Sequence, residues 1–185
     1  LHTGVGRFAI VDMKPMTLYE SGDSNGKISL NDLLNGKRDI DGIKSTLDYE
    51  RIATVLCRGG WPNAIGLADD ISESVAKNYL NVLCQSDISR VDGVKKDPDL
   101  ARAILRAYAR QTSTIDSDKS MYDDIRSNYA LVSEATIANY IKILKRLYII
   151  EDIEAWNPNI RSKTAIRTSP KKAFVDPSLA VAALG

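Results

Sequence analysis

The last third of this sequence is the part that most narrows its fold. "SMYDDIRSNY" has the spacing of a short helix, and "ALVSEATIANYIKILKRLYI" that of a turn followed by a longer helix. "YIIEDIEAW" and "KKAFVDPS" read as two strands joined by a polar loop from Asn157 to Pro170. Ile137, Ile141, Leu144 and Leu147 recur at three and four residues, and Ser133 stands where a helix N-cap is needed, with Glu134 behind it. Helix, turn, helix, strand, loop, strand is the order of a winged helix.

Upstream, helical signals dominate. "STLDYERIATVLC" offers Ser45 or Thr46 as N-cap and places Tyr49, Ile52, Ala53 and Leu56 on one face. "ISESVAKNYLNVLC" repeats the pattern with Ile71, Val75, Tyr79, Leu80 and Leu83. In "DPDLARAILRAYARQTS" Asp97 is the cap, Pro98 takes the first helical position, and Leu100, Ile104, Leu105 and Tyr108 form the apolar side. Before these, "RFAIVDMK" at residues 7–14 alternates like a strand that Pro15 stops, and "SGDSNGK" at residues 21–27 is a loop. The expected class is mainly α with an α+β element: a helical region followed by a winged helix-turn-helix with a small β-hairpin. The expected division is 1–44, 45–118 and 119–185.

The 185 residues are 44% apolar and 26% charged, which is ordinary for a globular chain, and the longest apolar runs fall far short of a membrane span. A cytoplasmic protein with no membrane partner is the expectation, and Cys57 and Cys84, both in helical patterns, are expected to be reduced. His2 is the only histidine and no cysteine has a neighbour at zinc-ligand spacing, so no metal site is expected. "SDISRVDG" brings Asp87, Arg90 and Asp92 together, without the further oxygen ligands and late glutamate of a calcium loop; a local ion pair is expected there.

Between two helical stretches stands "LCRGGWPNAIGLA". Gly59 and Gly60 remove the side chains that would keep a backbone from a flat ligand, Pro62 fixes φ where a helix would restart, and Arg58 adds a full charge to the partial charge of a helix N-terminus. One reading is a nucleotide contact made by Arg58, Gly59, Gly60, Trp61 and Pro62. The other is a tight corner in which Trp61 fills the core.

"RGGWPNAIGLA" resembles the glycine-any-proline motif at the lid of P-loop ATPases of the STAND and archaeal AAA-type classes. "GVGRFAIVDMKPMTLYES", "CQSDISRVDG" and "KKAFVDPSLAVAALG" are similar to segments of bacterial ATPases carrying the domain of unknown function 4143. The resemblance implies a piece of a longer chain: the end of an ATPase core, a helical lid and a winged helix. The phosphate-binding loop and the magnesium-holding acid would then lie upstream of Leu1, in a P-loop core that is this piece's partner. It further implies ATP as the parent's cofactor, with no ATP bound and no catalysis by this piece alone. Arg7, after Gly4 and Gly6, resembles the arginine that ends such a core and reaches the γ-phosphate; its other reading is a surface arginine leading a strand. No G-x-x-x-x-G-K-[ST] occurs in the sequence.

Basic charge is concentrated late. Between Lys142 and Lys172 eight lysines and arginines face three acids, a local +5 in a chain whose net charge is +1. Asn139, Lys142, Lys145 and Arg146 project from the helix away from its apolar stripe, and Arg161, Lys163 and Arg167 sit on the expected wing. A winged-helix DNA-binding regulator is therefore the alternative function, with DNA as partner. A solvated face on a winged helix that only packs within the parent is the third reading.

Overall fold

The computed structural model describes residue 9 and residues 11–114, 118–154 and 170–185. It is mainly helical with one two-stranded antiparallel sheet, the class expected from the sequence. The chain enters through an irregular segment. Residues 9 and 11–14 carry no strand, which corrects the strand expected at 7–14 as far as that stretch is described. A short helix not anticipated from the sequence follows, α1 (Leu30–Leu34), capped by Ser29 and with no buried residue.

The helix expected from Ser45 or Thr46 starts later, as α2 (Tyr49–Arg58). Asp48 is its N-cap and accepts the Arg51 N–H at 2.8 Å, while Ser45 caps a turn before it by accepting from Leu47 N–H. The inward face of α2 is also not the expected one: Val55 and Arg58 are buried, and Tyr49, Ile52 and Leu56 are exposed. Next comes α3 (Asp69–Val82), which runs on through π-helical Leu83–Asp87 into α4 (Ile88–Arg90). Its buried line is Ser72, Ala76, Leu80, Leu83, Cys84 and Ile88: Leu80 and Leu83 are inward as expected, whereas Ile71 and Tyr79 of the expected line are exposed and Val75 is half-buried.

α5 (Pro98–Arg110) matches its sequence reading. Asp97 caps it, Pro98 begins it, and Leu100, Ile104, Leu105 and Tyr108 are buried. Each such side chain removed from water stabilises the fold by about 1.5–3 kcal/mol. α6 (Asp118–Arg126) and α7 (Glu134–Arg146) follow. The Ser133 hydroxyl accepts the Thr136 N–H at 3.1 Å, and Ile137, Ile143 and Leu144 point inward. The Tyr140 hydroxyl accepts the Asp97 N–H at 2.8 Å, which ties α7 to the start of α5.

β1 (Ile150–Ile153) and β2 (Lys171–Phe174) pair antiparallel with Ile150 opposite Phe174. The second edge of β2 is occupied where Ser113 N–H donates to the Lys172 carbonyl at 2.8 Å. Tyr108 meets Phe174 edge to face at 5.6 Å and donates its hydroxyl to the Glu151 carbonyl. The chain ends in α8 (Pro177–Leu184), which packs against α2, α3 and α5. One apolar cluster runs from Ala76 on α3 through α5, α6, α7 and the sheet to Ala180 on α8. Among the described residues no helix is long and apolar enough to cross a membrane.

One backbone feature costs stability. Tyr148, just past α7, has φ of 55° and sits at the left-handed position of a helix-ending turn in which Ile149 N–H reaches back to the Leu144 carbonyl. Glycine usually occupies such a position, and a side-chain-bearing residue there costs roughly 1–2 kcal/mol.

Candidate functional site

The Arg-Gly-Gly-Trp-Pro corner joins three distant stretches of chain. Gly59 ends α2 with φ of 72°, and a Cβ there would overlap the Asp176 carboxylate and the Ser178 hydroxyl. A Cβ on Gly60 would overlap the Met16 carbonyl. The glycines therefore admit two neighbours, the irregular segment at Met16 and the start of α8. Met16 N–H donates to the Gly60 carbonyl at 2.8 Å, Gly60 N–H to Asp176 Oδ2 at 2.8 Å, and Trp61 Nε1–H to Ser178 Oγ at 2.9 Å. Asp176 also caps α8 by accepting Ser178 N–H, so one buried carboxylate serves a helix and a corner at once.

The main-chain groups expected to be open to a ligand are thus occupied. The helix expected to restart at Pro62 does not: Pro62–Ala64 form a single 3-10 turn, and α3 begins only at Asp69. No α-helix begins within the corner itself; the helix N-terminus that stands against it is that of α8, whose cap Asp176 is already engaged by Gly60 and Ser178.

Arg58 is 6% exposed, and its guanidinium meets Asp23 Oδ2 at 2.6 Å while Nε donates to the Gly59 carbonyl. Arg51 reaches the other Asp23 oxygen at 3.1 Å. Burial by itself would raise the Asp23 carboxyl; hydrogen bonds from Arg58, Ser21 and Arg51, with the Arg58 charge, outweigh it and bring its pKa down to about 2. Asp23 lies in the glycine-flanked loop at residues 21–27, so Arg58 holds the incoming segment as Asp176 holds the outgoing helix.

The corner separates two cavities. On the Arg58 side is a groove of about 300 Å³ with largely aliphatic walls, formed by Met16, Leu18, Leu47, Ile52, Leu56 and Pro177, with Arg58, Gly59 and Gly60 at its base. On the other side is a cleft of about 700 Å³ bounded by Trp61, Pro62, Tyr79 and Tyr148 and by residues 12–16. The structure therefore divides the five residues expected to act together, Arg58 and Gly59 facing one cavity and Trp61 and Pro62 the other, with Gly60 shared. Arg7 lies outside the described residues.

On α7, Asn139, Lys142 and Arg146 are exposed, and neither cation has a carboxylate partner among the described residues. Lys145, expected beside them, is instead paired with Asp152 on β1. Arg161, Lys163 and Arg167 lie outside the described residues, as does the loop from Asn157 to the residue before Pro170. The expected local ion pair is present as Asp87 with Arg90 at 3.2 Å, while Asp92 pairs with Lys96. Among the described residues no group of histidine, cysteine and acidic side chains could hold a metal ion, and neither cysteine is bonded to another.

Asp23, Asp176, Ser178 and Met16 were not singled out from the sequence. The signal for one was present: "DPS" is an N-cap followed by proline at the first helical position, and reading "KKAFVDPS" as strand throughout hid it.

A family model, Domain of unknown function (DUF8612), matches residues 49–185. No curated protein and no solved structure matches the chain. The resemblance to STAND and AAA-type ATPases carrying the domain of unknown function 4143 is therefore corrected, because the family that matches is a different one. Short glycine and proline motifs recur at helix corners for steric reasons alone, as this corner illustrates. With three quarters of its length inside the matched region, the chain belongs to the DUF8612 family.

Proposed function

We propose that this chain is a non-catalytic regulatory module that senses a nucleoside triphosphate held by a partner domain, with Arg58 as the sensing group. The observation that carries this reading is the Arg58–Asp23 pair: a buried guanidinium at the base of an apolar groove, neutralised by a single loop carboxylate. A phosphate presents the same paired oxygens to a guanidinium as a carboxylate does and competes for it. The aliphatic groove above Gly59 and Gly60 has a volume of about 300 Å³, the lower end of the range of small-molecule sites. When Asp23 is displaced, Arg58 releases the loop at residues 21–27 and loosens the incoming segment that rests on Gly60 through Met16.

Magnitudes explain why a partner is needed. Opening a buried ion pair costs about 3–5 kcal/mol. Millimolar binding supplies roughly 4 kcal/mol, so a nucleotide held by this module alone barely offsets the opening.

An amide NMR titration with ATP tests the reading. In Asp23→Asn the competing carboxylate is gone, and losing a charge-assisted bond of about 1.5–3 kcal/mol to it should let ATP bind about ten-fold or more tightly than in wild type. The amides of Gly59 and Gly60 should move, and Arg58→Ala in the same background should abolish the effect. Equal, negligible shifts in wild type and Asp23→Asn at millimolar ATP would remove the proposal.

The exposed line of Asn139, Lys142 and Arg146 on α7 favours duplex binding as a second reading. In that case a short duplex, and not ATP, shifts the α7 amides, and the shift weakens steeply with salt.

A further inference from the structure

The cleft on the Trp61 side plays no part in the Arg58 reading. Its walls are mainly apolar and aromatic: Trp61 and Tyr79 lie 5.2 Å apart between ring centroids, and the Tyr148 ring, 67% exposed, borders the same space. Four carboxylates line it, against two lysines. Both lysines are already matched, Lys14 to Glu151 and Lys145 to Asp152, which leaves Asp12 and Glu20 without a compensating cation among the described residues. Glu20 is bonded to the Thr17 main chain and hydroxyl, bonds that hold its carboxyl below the usual range and keep it ionised. Asp12 has no partner among the described residues.

The left-handed turn after α7 favours glycine or asparagine, yet it holds a tyrosine whose ring buries little of itself. That placement is costly for the fold and becomes explicable if the ring works in the cleft.

We infer that this cleft binds a small planar organic cation, stacked between Tyr148 and the Trp61–Tyr79 pair and neutralised by Asp12 and Glu20. Its volume of about 700 Å³ is that of a small-molecule site. Aromatic faces attract cations, and the acid excess repels the anions that the Arg58 side would accept. The two cavities thus select opposite charges, and either assignment can fail without the other.

The probe is benzamidine, with benzoate as the anion of the same shape, followed through Trp61 fluorescence in a Trp156→Phe background. Benzamidine should quench saturably in the millimolar range, and benzoate should not. Tyr148→Gly should melt at a higher temperature than the parent while binding benzamidine at least five-fold more weakly, a combination that mere loss of structure does not produce. Equal responses to the two probes, or a Tyr148→Gly variant that keeps its benzamidine affinity, would overturn the assignment.

Discussion

Gly60→Ala should lower the stability of this protein by about 2–3 kcal/mol, the upper part of the range for overpacking a closed site. The cause is steric and specific. Gly60 does not occupy the left-handed region, so an alanine can adopt its backbone conformation, but the new Cβ would overlap the Met16 carbonyl. Because that contact is with main chain, no side-chain rotation relieves it. The Met16 segment must lift, breaking its bond to the Gly60 carbonyl and loosening the loop that carries Asp23. Gly66→Ala is the control: its φ is 79° and nothing lies near the added atom, so only the left-handed strain of about 1 kcal/mol remains. Urea unfolding of the two variants separates packing from backbone preference, and similar losses would mean that Met16 does not rest on Gly60.

Arg58→Ala should cost about 3–5 kcal/mol, because it leaves Asp23 buried without its strongest partner. The loss has a pH signature. Asp23 has a folded pKa depressed from 3.8 to about 2, so the stability it contributes is fully present above the unfolded value and disappears as pH falls through the folded one. Wild type and Arg58→Ala should therefore differ most above about pH 4, and the difference between them should shrink toward pH 2. In a cycle with Asp23→Ala, the double variant should be more stable than the sum of the single losses predicts, by 1 kcal/mol or more. A difference that persists unchanged to pH 2 would assign the Arg58 contribution to its packing alone.

Much of this architecture could be read from residues in order. α5 has every signal in agreement: an aspartate cap, proline at the first position, and apolar residues at helical spacing. α7 and the two strands were legible in place, from the Ser133 cap and the local apolar residues, although the second strand was read past its end at Phe174. α2 was not, and the reason is physical. Periodicity assigns the apolar stripe to the core, but α2 turns Val55 and Arg58 inward because a charge on residue 58 is met by a carboxylate thirty-five residues earlier. No local pattern announces that pairing. The candidate site divides the same way. Two glycines and a proline marked the corner correctly, yet its partners, Met16, Asp23 and Asp176, come from both ends of the chain. Residue types showed that the backbone there must be bare without showing what approaches it. The approach turns out to be made by the chain itself.

The exposed stripe of Tyr49, Ile52 and Leu56 is the other consequence of that inward turn. Ile52 and Leu56 of this stripe line the Arg58 groove, so a partner domain seated on α2 would stand beside the guanidinium it is proposed to engage.

Amide hydrogen exchange at Gly60, read against Gly66 in the same spectrum, bears most directly on the claim that the corner is a closed latch. Gly60 N–H is donated to buried Asp176, whereas Gly66 is exposed and has no acceptor among the described residues. Gly60 should exchange at least about a hundred-fold more slowly than Gly66, and in step with Ser178, whose N–H the same carboxylate holds. Exchange at Gly60 as fast as at Gly66 would mean that the corner stands open in solution, and the latch with everything built on it would be wrong.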